Sequence, residues 1–161
     1  DARGVVVAPG APPRGRAVRV VEHDADGDGR VETVYVEKNG ARIPNSADQF
    51  VLATGGLVGK GVDSDRDRVY EPIFDCHVAH PDDRYDWFDT DAFGDHAFAA
   101  FGVRTDDALR PLAAGGDVEF DNLRAAGSVL GGYDFAAEKS GSGVSIATGY
   151  AAGRRAAEVA G

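Results

Sequence analysis

The sequence predicts an α/β fold with a β-meander, an inserted cap segment and a C-terminal helix. Three observations carry that prediction. The first is Gln49-Phe50-Val51-Leu52-Ala53-Thr54-Gly55-Gly56, an apolar run with a buried strand's composition that stops at a glycine pair. The second is Ala125-Ala126-Gly127-Ser128-Val129-Leu130-Gly131-Gly132-Tyr133-Asp134, a strand end and glycine turn followed by a second glycine turn, Ser140-Gly141-Ser142-Gly143. The third is the Ala- and Gly-rich segment over about residues 142–160, which reads as a helix able to approach a sheet closely.

The elements divide the chain into residues 1–56, 57–116 and 117–161. In the first part, Gly4-Val5-Val6-Val7-Ala8 is a short β-branched strand ended by Pro9-Gly10-Ala11-Pro12-Pro13. Residues 16–22 and 31–36 alternate apolar and polar side chains, as half-buried strands do. The acidic run Asp24-Ala25-Asp26-Gly27-Asp28-Gly29 between them reads as a hairpin turn. A further turn at Asn39-Gly40 leads through residues 41–48 to the strand at residue 49, so that a β-meander feeds a larger sheet. The middle part is rich in Asp, proline and aromatic residues, as in Tyr85-Asp86-Trp87-Phe88 and Phe93-Gly94-Asp95-His96-Ala97-Phe98, and sustains no helical period. A short helix over residues 91–101 is the one regular element expected there, and the segment reads as a cap over a ligand.

Composition narrows the function classes. The 161 residues carry 27 acidic and 17 basic side chains, a formal net charge of −10, and the only lysines are Lys38, Lys60 and Lys139. An Asp-rich, Lys-poor surface suits concentrated salt, where ions screen self-repulsion, and predicts a halophilic cytoplasm. No basic patch is present to displace the counterions of a nucleic acid, so no nucleic-acid partner is expected. One cysteine, Cys76, excludes an internal disulfide. No apolar run approaches membrane-spanning length, so any membrane contact is expected through partners. The chain opens on Asp1-Ala2-Arg3-Gly4 and contains no methionine, for which the simplest reading is a piece of a longer chain.

Several residues invite chemistry. Asp24, Asp26 and Asp28 before a glycine match the opening of a calcium loop. The twelfth position is Tyr35 where a bidentate Glu is required, and the acidic hairpin tip is the better reading. Cys76, His77 and His80 lie close together but lack a fourth ligand, so no metal is expected. His77, His80 and His96 are candidate bases for a substrate hydroxyl, and Arg104 and Arg110 are candidate partners for an anionic group. Glycine turns let backbone approach a flat ligand, and the helix start after them offers free N–H groups to an electron-rich oxygen.

Taken together, these segments resemble one family. Phe50 to Gly56 resembles the "ATGG" strand end of flavoproteins with the two-dinucleotide-binding-domain fold. Residues 122–134 with Ser140-Gly141-Ser142-Gly143-Val144 resemble that fold's final flavin-contacting motif. With Glu71-Pro72-Ile73-Phe74 and residues 101–111 between them, the combination is similar to the B subunits of anaerobic glycerol-3-phosphate dehydrogenases in their haloarchaeal form. The resemblance covers residues 50–161 well and the meander only generically. It implies a flavin cofactor, FMN or FAD, held by Gly55, Gly56, Gly127, Gly131, Gly132, Asp134, Ser140, Gly141, Ser142 and Gly143. Gly131, Gly132 and Asp134 would lie by the ribityl or phosphate region, and residues 140–143 by the pyrimidine edge. It further implies oxidation of sn-glycerol 3-phosphate to dihydroxyacetone phosphate, with electrons passing through iron–sulfur and membrane-anchor subunits to the quinone pool. The location implied is cytoplasmic, at the inner face of the cell membrane through partner subunits. The alternative is a non-catalytic electron-transfer or assembly scaffold of the same kind of complex; a calcium-stabilised β-rich module is a third reading. The fold's glycine-rich first βα turn is absent from these residues, so this chain alone is expected to bind flavin poorly and to be inactive.

Overall fold

The computed structural model describes residues 4–7, 18–24, 27–38 and 40–160. The proline turn at residues 9–13, positions 25 and 26 of the acidic turn, and Asn39 therefore lie outside the described residues. Two sheets and one long helix position everything else. Strands β1 (Gly4–Val7), β5 (Gln49–Leu52) and β8 (Leu123–Ala125) form a parallel sheet in the order β1-β5-β8. Strands β2 (Val18–Asp24), β3 (Thr33–Lys38) and β4 (Ala41–Ser46) form the antiparallel meander, with a bulge between Val20 and Glu22. Pro44 sits inside β4, a position open to proline because β4 is an edge strand. Two-residue strands β6 (Asp63–Ser64) and β7 (Val69–Tyr70) pair within the cap.

Register explains the core. Phe50 pairs with Leu123 and Leu52 with Ala125, so these four side chains share one face of the parallel sheet. All four are completely buried, in one cluster with Val31 and Val34 of the meander side and Val103 and Val129. Asn122 ties the two sheets together. Its side-chain oxygen accepts the Val31 N–H at 2.8 Å and its amide donates to the Val31 carbonyl at 2.8 Å, as a neighbouring strand would. Helix α1 (Gly141–Ala160) packs on β5 and β8 with Ala152 and Ala156 buried, which the small-residue composition permits.

The helix expected over residues 91–101 is corrected to one 3-10 turn, Ala97–Ala100; a second 3-10 turn spans Arg84–Trp87. Asp89 accepts the Asp91 N–H at 2.8 Å and Asp91 accepts the Phe93 N–H at 3.0 Å. Such local side-chain bonds compete with the helical ladder and hold the segment as turns.

Glu119 and the Asp106–Arg110 pair brace the segment that leads to β8. Arg110 donates through Nε to Asp106 at 2.9 Å and through Nη1 to Asp121 at 2.9 Å. Partial burial raises the Asp106 pKa, but the Arg110 and Ala108 backbone bonds and the guanidinium outweigh it and hold the carboxyl below its usual range. A depressed carboxyl stabilises the fold above its ordinary value, and that stabilisation is lost as pH falls through the folded one. Asp106→Asn should therefore cost about 1–2 kcal/mol at neutral pH and almost nothing in strong acid. Urea unfolding of both proteins at the two pH values measures the difference.

Candidate functional site

A cleft of about 340 Å³ opens where the parallel strands β5 and β8 end. This is where open parallel sheets bind ligands, outside the carboxyl ends of the strands. Gly55, Gly56, Leu57, Val58 and Gly59 line it from the β5 side, and Ser128, Leu130, Tyr133 and Phe135 from the β8 side. Phe98, Ala99 and Phe101, from residues 57–116, complete the lining. No charged side chain is among these lining residues. Gly55 has φ +92°, a left-handed conformation that turns the chain sharply as β5 ends.

Two adjoining spaces border the cleft. One, of about 230 Å³, lies between the β5 end and α1 and is lined by Gly55, Gly127, Ser128, Ser145 and Gly149, among others. The other, a cap chamber of about 210 Å³, shares Leu57, Phe98 and Phe101 with the cleft and adds Val69, Trp87 and Phe88.

The remaining candidates lie elsewhere. Gly131 packs on Gly102 backbone to backbone: a Cβ on Gly131 would lie 2.6 Å from the Gly102 carbonyl oxygen. Gly132 donates to the Ala100 carbonyl at 3.0 Å, so the turn is sewn to the cap. The Asp134 carboxylate accepts the N–H groups of Ala136 at 2.8 Å and Ala137 at 2.9 Å, and so caps its own turn. The helix begins at Gly141, and Ser142 lies inside its first turn. Ser140 donates its hydroxyl to Glu138 at 3.3 Å, and Gly141, Ser142 and Gly143 are absent from the lining of the cleft.

Histidine geometry is equally specific. His80 Nε2 accepts the Val69 N–H at 3.2 Å, so the ring is neutral with its proton on Nδ1, which donates to the Pro81 carbonyl at 2.8 Å. His96 Nδ1 accepts the Asp89 N–H at 3.0 Å and its ring stacks on Phe98. His77 lines a separate polar depression of about 400 Å³ with Arg68, Asp75, Cys76, His80 and Glu119. Burial pushes the Cys76 thiol up, and the nearby Glu71 and Glu119 carboxylates add to it. Among the described residues no group of three or more His, Cys, Asp or Glu side chains is arranged to hold a metal ion. Asp28 accepts the Arg30 N–H at 2.9 Å, and Asp26 of the acidic turn lies outside the described residues. Arg104 is exposed, whereas the Arg110 guanidinium is held between Asp106 and Asp121.

Sequence reasoning missed Ser128, Leu130, Tyr133 and Phe135 as lining residues, and Thr54. The Thr54 hydroxyl is buried just beyond β5 with no hydrogen-bond partner among the described residues, a rare condition in a folded chain.

A parallel sheet whose strand ends carry a glycine-lined, aromatic-capped cleft is the architecture of a nucleotide-cofactor domain, and the comparison with known families agrees. The chain belongs to the FAD binding domain family, matched over residues 3–144. Flavin is thus the cofactor class. Over 158 residues the chain is 71% identical to a Halobacterium salinarum protein named as the B subunit of a probable anaerobic glycerol-3-phosphate dehydrogenase; the match covers 98% of the chain and 35% of that relative. Over 119 residues it is 41% identical to the B subunit of the anaerobic glycerol-3-phosphate dehydrogenase of Yersinia pseudotuberculosis, covering 74% of the chain and 27% of the relative. The Aliivibrio fischeri protein of that name is 39% identical over 115 residues, 70% of the chain and 25% of the relative. The chain spans about a third of the length of the first of these relatives and about a quarter of the other two. No solved structure matches it. The salt-adapted composition accords with the Halobacterium relative. Among the described residues no helix is long and apolar enough to cross a membrane.

The residues present fit a flavin as part of its surroundings. The cleft has a ligand pocket's volume, within the usual range of about 300–1,000 Å³. Its aromatic and glycine walls suit a flat ring, and the glycines leave no Cβ between the strand end and such a ring.

Proposed function

We propose that this chain supplies one wall of the flavin site in the B subunit of an anaerobic glycerol-3-phosphate dehydrogenase. The protein would take part in oxidising sn-glycerol 3-phosphate to dihydroxyacetone phosphate and pass electrons onward through iron–sulfur and membrane-anchor subunits to the quinone pool. Such a protein works in the cytoplasm, at the inner face of the membrane through those partners. The observation that carries this reading is the uncharged cleft at the ends of β5 and β8 in a chain 71% identical to a relative of that name.

The bound flavin supplies hydride and electron transfer. The chain's own residues bind and orient it. Gly55 and Gly56 let the β5 end run against the ring, Tyr133, Phe98 and Phe101 cover it, and Ser128 offers a hydroxyl. Gly127 borders the adjoining space beside α1. Gly131, Gly132 and Asp134 act in this reading by fixing the turn that carries Tyr133. Residues 140–143 act by starting the helix behind it.

Among the described residues no charged side chain lines the cleft, which favours a second reading for this part of the protein, electron transfer without substrate contact. A phosphate dianion is recognised by cations. Arg110 is engaged by two carboxylates, so of the two arginine candidates the exposed Arg104 is the one to test for such a contact. The assembled complex, loaded with flavin in high salt, is assayed for glycerol 3-phosphate oxidation with a dye acceptor. Oxidation that survives Arg104→Ala with unchanged KM supports the electron-transfer reading, a rise in KM alone supports substrate contact, and no oxidation by the flavin-loaded complex overturns the dehydrogenase.

A further inference from the structure

We propose that His80 is a positioning residue for the aromatic wall of the cleft, and that a second proton on its imidazole releases that wall. The inference rests on the cleft being the flavin site. One carbonyl oxygen, that of Pro81, receives two donors: His80 Nδ1 and the Trp87 indole N–H, each at 2.8 Å. The two rings so anchored meet edge to face, with centroids 5.4 Å apart at 76°. Phe101 closes the triangle at 6.1 Å from each of them. On its far side His80 Nε2 accepts the N–H of Val69, a buried residue of β7. Val69, Trp87 and Phe101 all line the cap chamber, and Phe101 also lines the cleft itself. A single neutral imidazole thus joins β7, the Pro81 loop and the turn at residues 97–101 into one wall.

The arrangement depends on which nitrogen holds the proton. In an imidazolium both ring nitrogens are donors. Nε2–H would then face the Val69 N–H, donor against donor, so the ring must turn or β7 must move. Either movement breaks the Val69 bond and loosens the contacts with Trp87 and Phe101. The route for the proton is open, because His80 also lines the polar depression on its other side. There the ring faces Arg68, whose positive charge opposes a second proton, as a charged His77 would, and Asp75 and Glu119, whose negative charge favours it. Asp82 and Asp83 follow His80 in the chain and also favour it. Both ring nitrogens are engaged, Nε2 by the Val69 N–H and Nδ1 by the Pro81 carbonyl.

The test uses the protein in high salt, read by the emission of Trp87, the single tryptophan of this chain, taken as the component lost in Trp87→Phe. Between about pH 8 and pH 5, where imidazoles change charge, that emission should move in one transition. Flavin affinity should fall roughly tenfold with it, the worth of about one buried hydrogen bond. His80→Asn should abolish the transition, whereas His77→Asn should leave it in place. A transition that persists in His80→Asn overturns the proposal. So does an imidazole ¹⁵N spectrum of the unmodified protein at pH 8 showing the proton on Nε2, a result that does not depend on any variant folding. Emission and spectra are recorded with and without added flavin. No flavin binding at any pH defeats the cleft reading alone, and a pH-independent Trp87 emission defeats the role of His80 alone.

Discussion

Gly131→Ala should lower folding stability by about 3 kcal/mol or more, and Gly102→Ala should do the same. The reason is that the opposing atoms are backbone on both sides. A Cβ on Gly131 would meet the Gly102 oxygen at 2.6 Å and its carbonyl carbon at 2.8 Å. A Cβ on Gly102 would meet the Gly131 nitrogen and the Leu130 carbon at 2.5 Å. Rotamer adjustment offers no relief, so the two chains must part. Parting them breaks the Val103 bonds to Val129 at 2.8 Å and to Gly131 at 3.0 Å, which join the cap to the wall of the cleft. A loss of this size is a large share of the roughly 5–15 kcal/mol that holds a domain together. Gly143→Ala, by contrast, should be neutral or slightly stabilising, because its Cβ would meet nothing within 4 Å and the position is helical. Chemical denaturation of the three variants separates a packing requirement from a general need for glycine. Equal midpoints for Gly131→Ala and the parent protein would show that the backbone contact carries no such weight.

Glu71→Ala is expected to cost about 2–4 kcal/mol, from a single polar side chain in the cap. Glu71 is completely buried, and its two carboxylate oxygens are each assigned. Oε1 accepts the Ile73 N–H at 2.9 Å and Oε2 the Phe74 N–H at 2.7 Å. Alanine removes the carboxylate that accepts from the half-buried Ile73 N–H and the buried Phe74 N–H. Glu71→Gln should cost roughly half as much, since the amide retains one acceptor and turns a donor toward the other N–H. Burial raises the Glu71 pKa from its ordinary value near 4.5, while the bonds from Phe74, Ile73 and Cys76 pull it back in part. A carboxyl raised in the folded state contributes stability that is complete below the ordinary value and is lost as pH rises through the folded value. The penalty for Glu71→Ala should therefore be greater near pH 4.5 than at pH 8. Unfolding curves at those two pH values check the sign, and a penalty that grows with pH would show that the hydrogen bonds, not burial, set the titration.

The parts of this architecture that were legible in the sequence are those written in contiguous residues. The run from Gln49 to Leu52, stopped by Gly55, can be little else than a buried strand, and the Ala- and Gly-rich end can be little else than a close-packed helix. The meander was readable because alternation survives a single bulge at Val20–Glu22. The cleft lining was not readable, because Phe98 and Phe101 share it with Tyr133 and Phe135 from some thirty residues further along, with no periodicity to join them. The backbone contact of Gly102 with Gly131 and the hydrogen bonds beside it bring those segments together, and glycines read in sequence do not reveal which backbone they touch. Asp134 and His80 show the reverse problem. Each has the residue type that chemistry uses, and the bonds that the Asp134 carboxylate accepts from Ala136 and Ala137 and His80 Nε2 from Val69 appear only with distances in hand.

The central claim is that the cleft at the ends of β5 and β8 holds the flavin, and Ser128→Trp tests it most directly. Ser128 is exposed and lines the cleft, so an indole there fills the space without entering the core. The measurement is flavin released per polypeptide on denaturation, after loading in high salt, alongside the thermal midpoint. Flavin should fall to background while the midpoint of the flavin-free protein stays unchanged; full flavin occupancy in Ser128→Trp would contradict the claim.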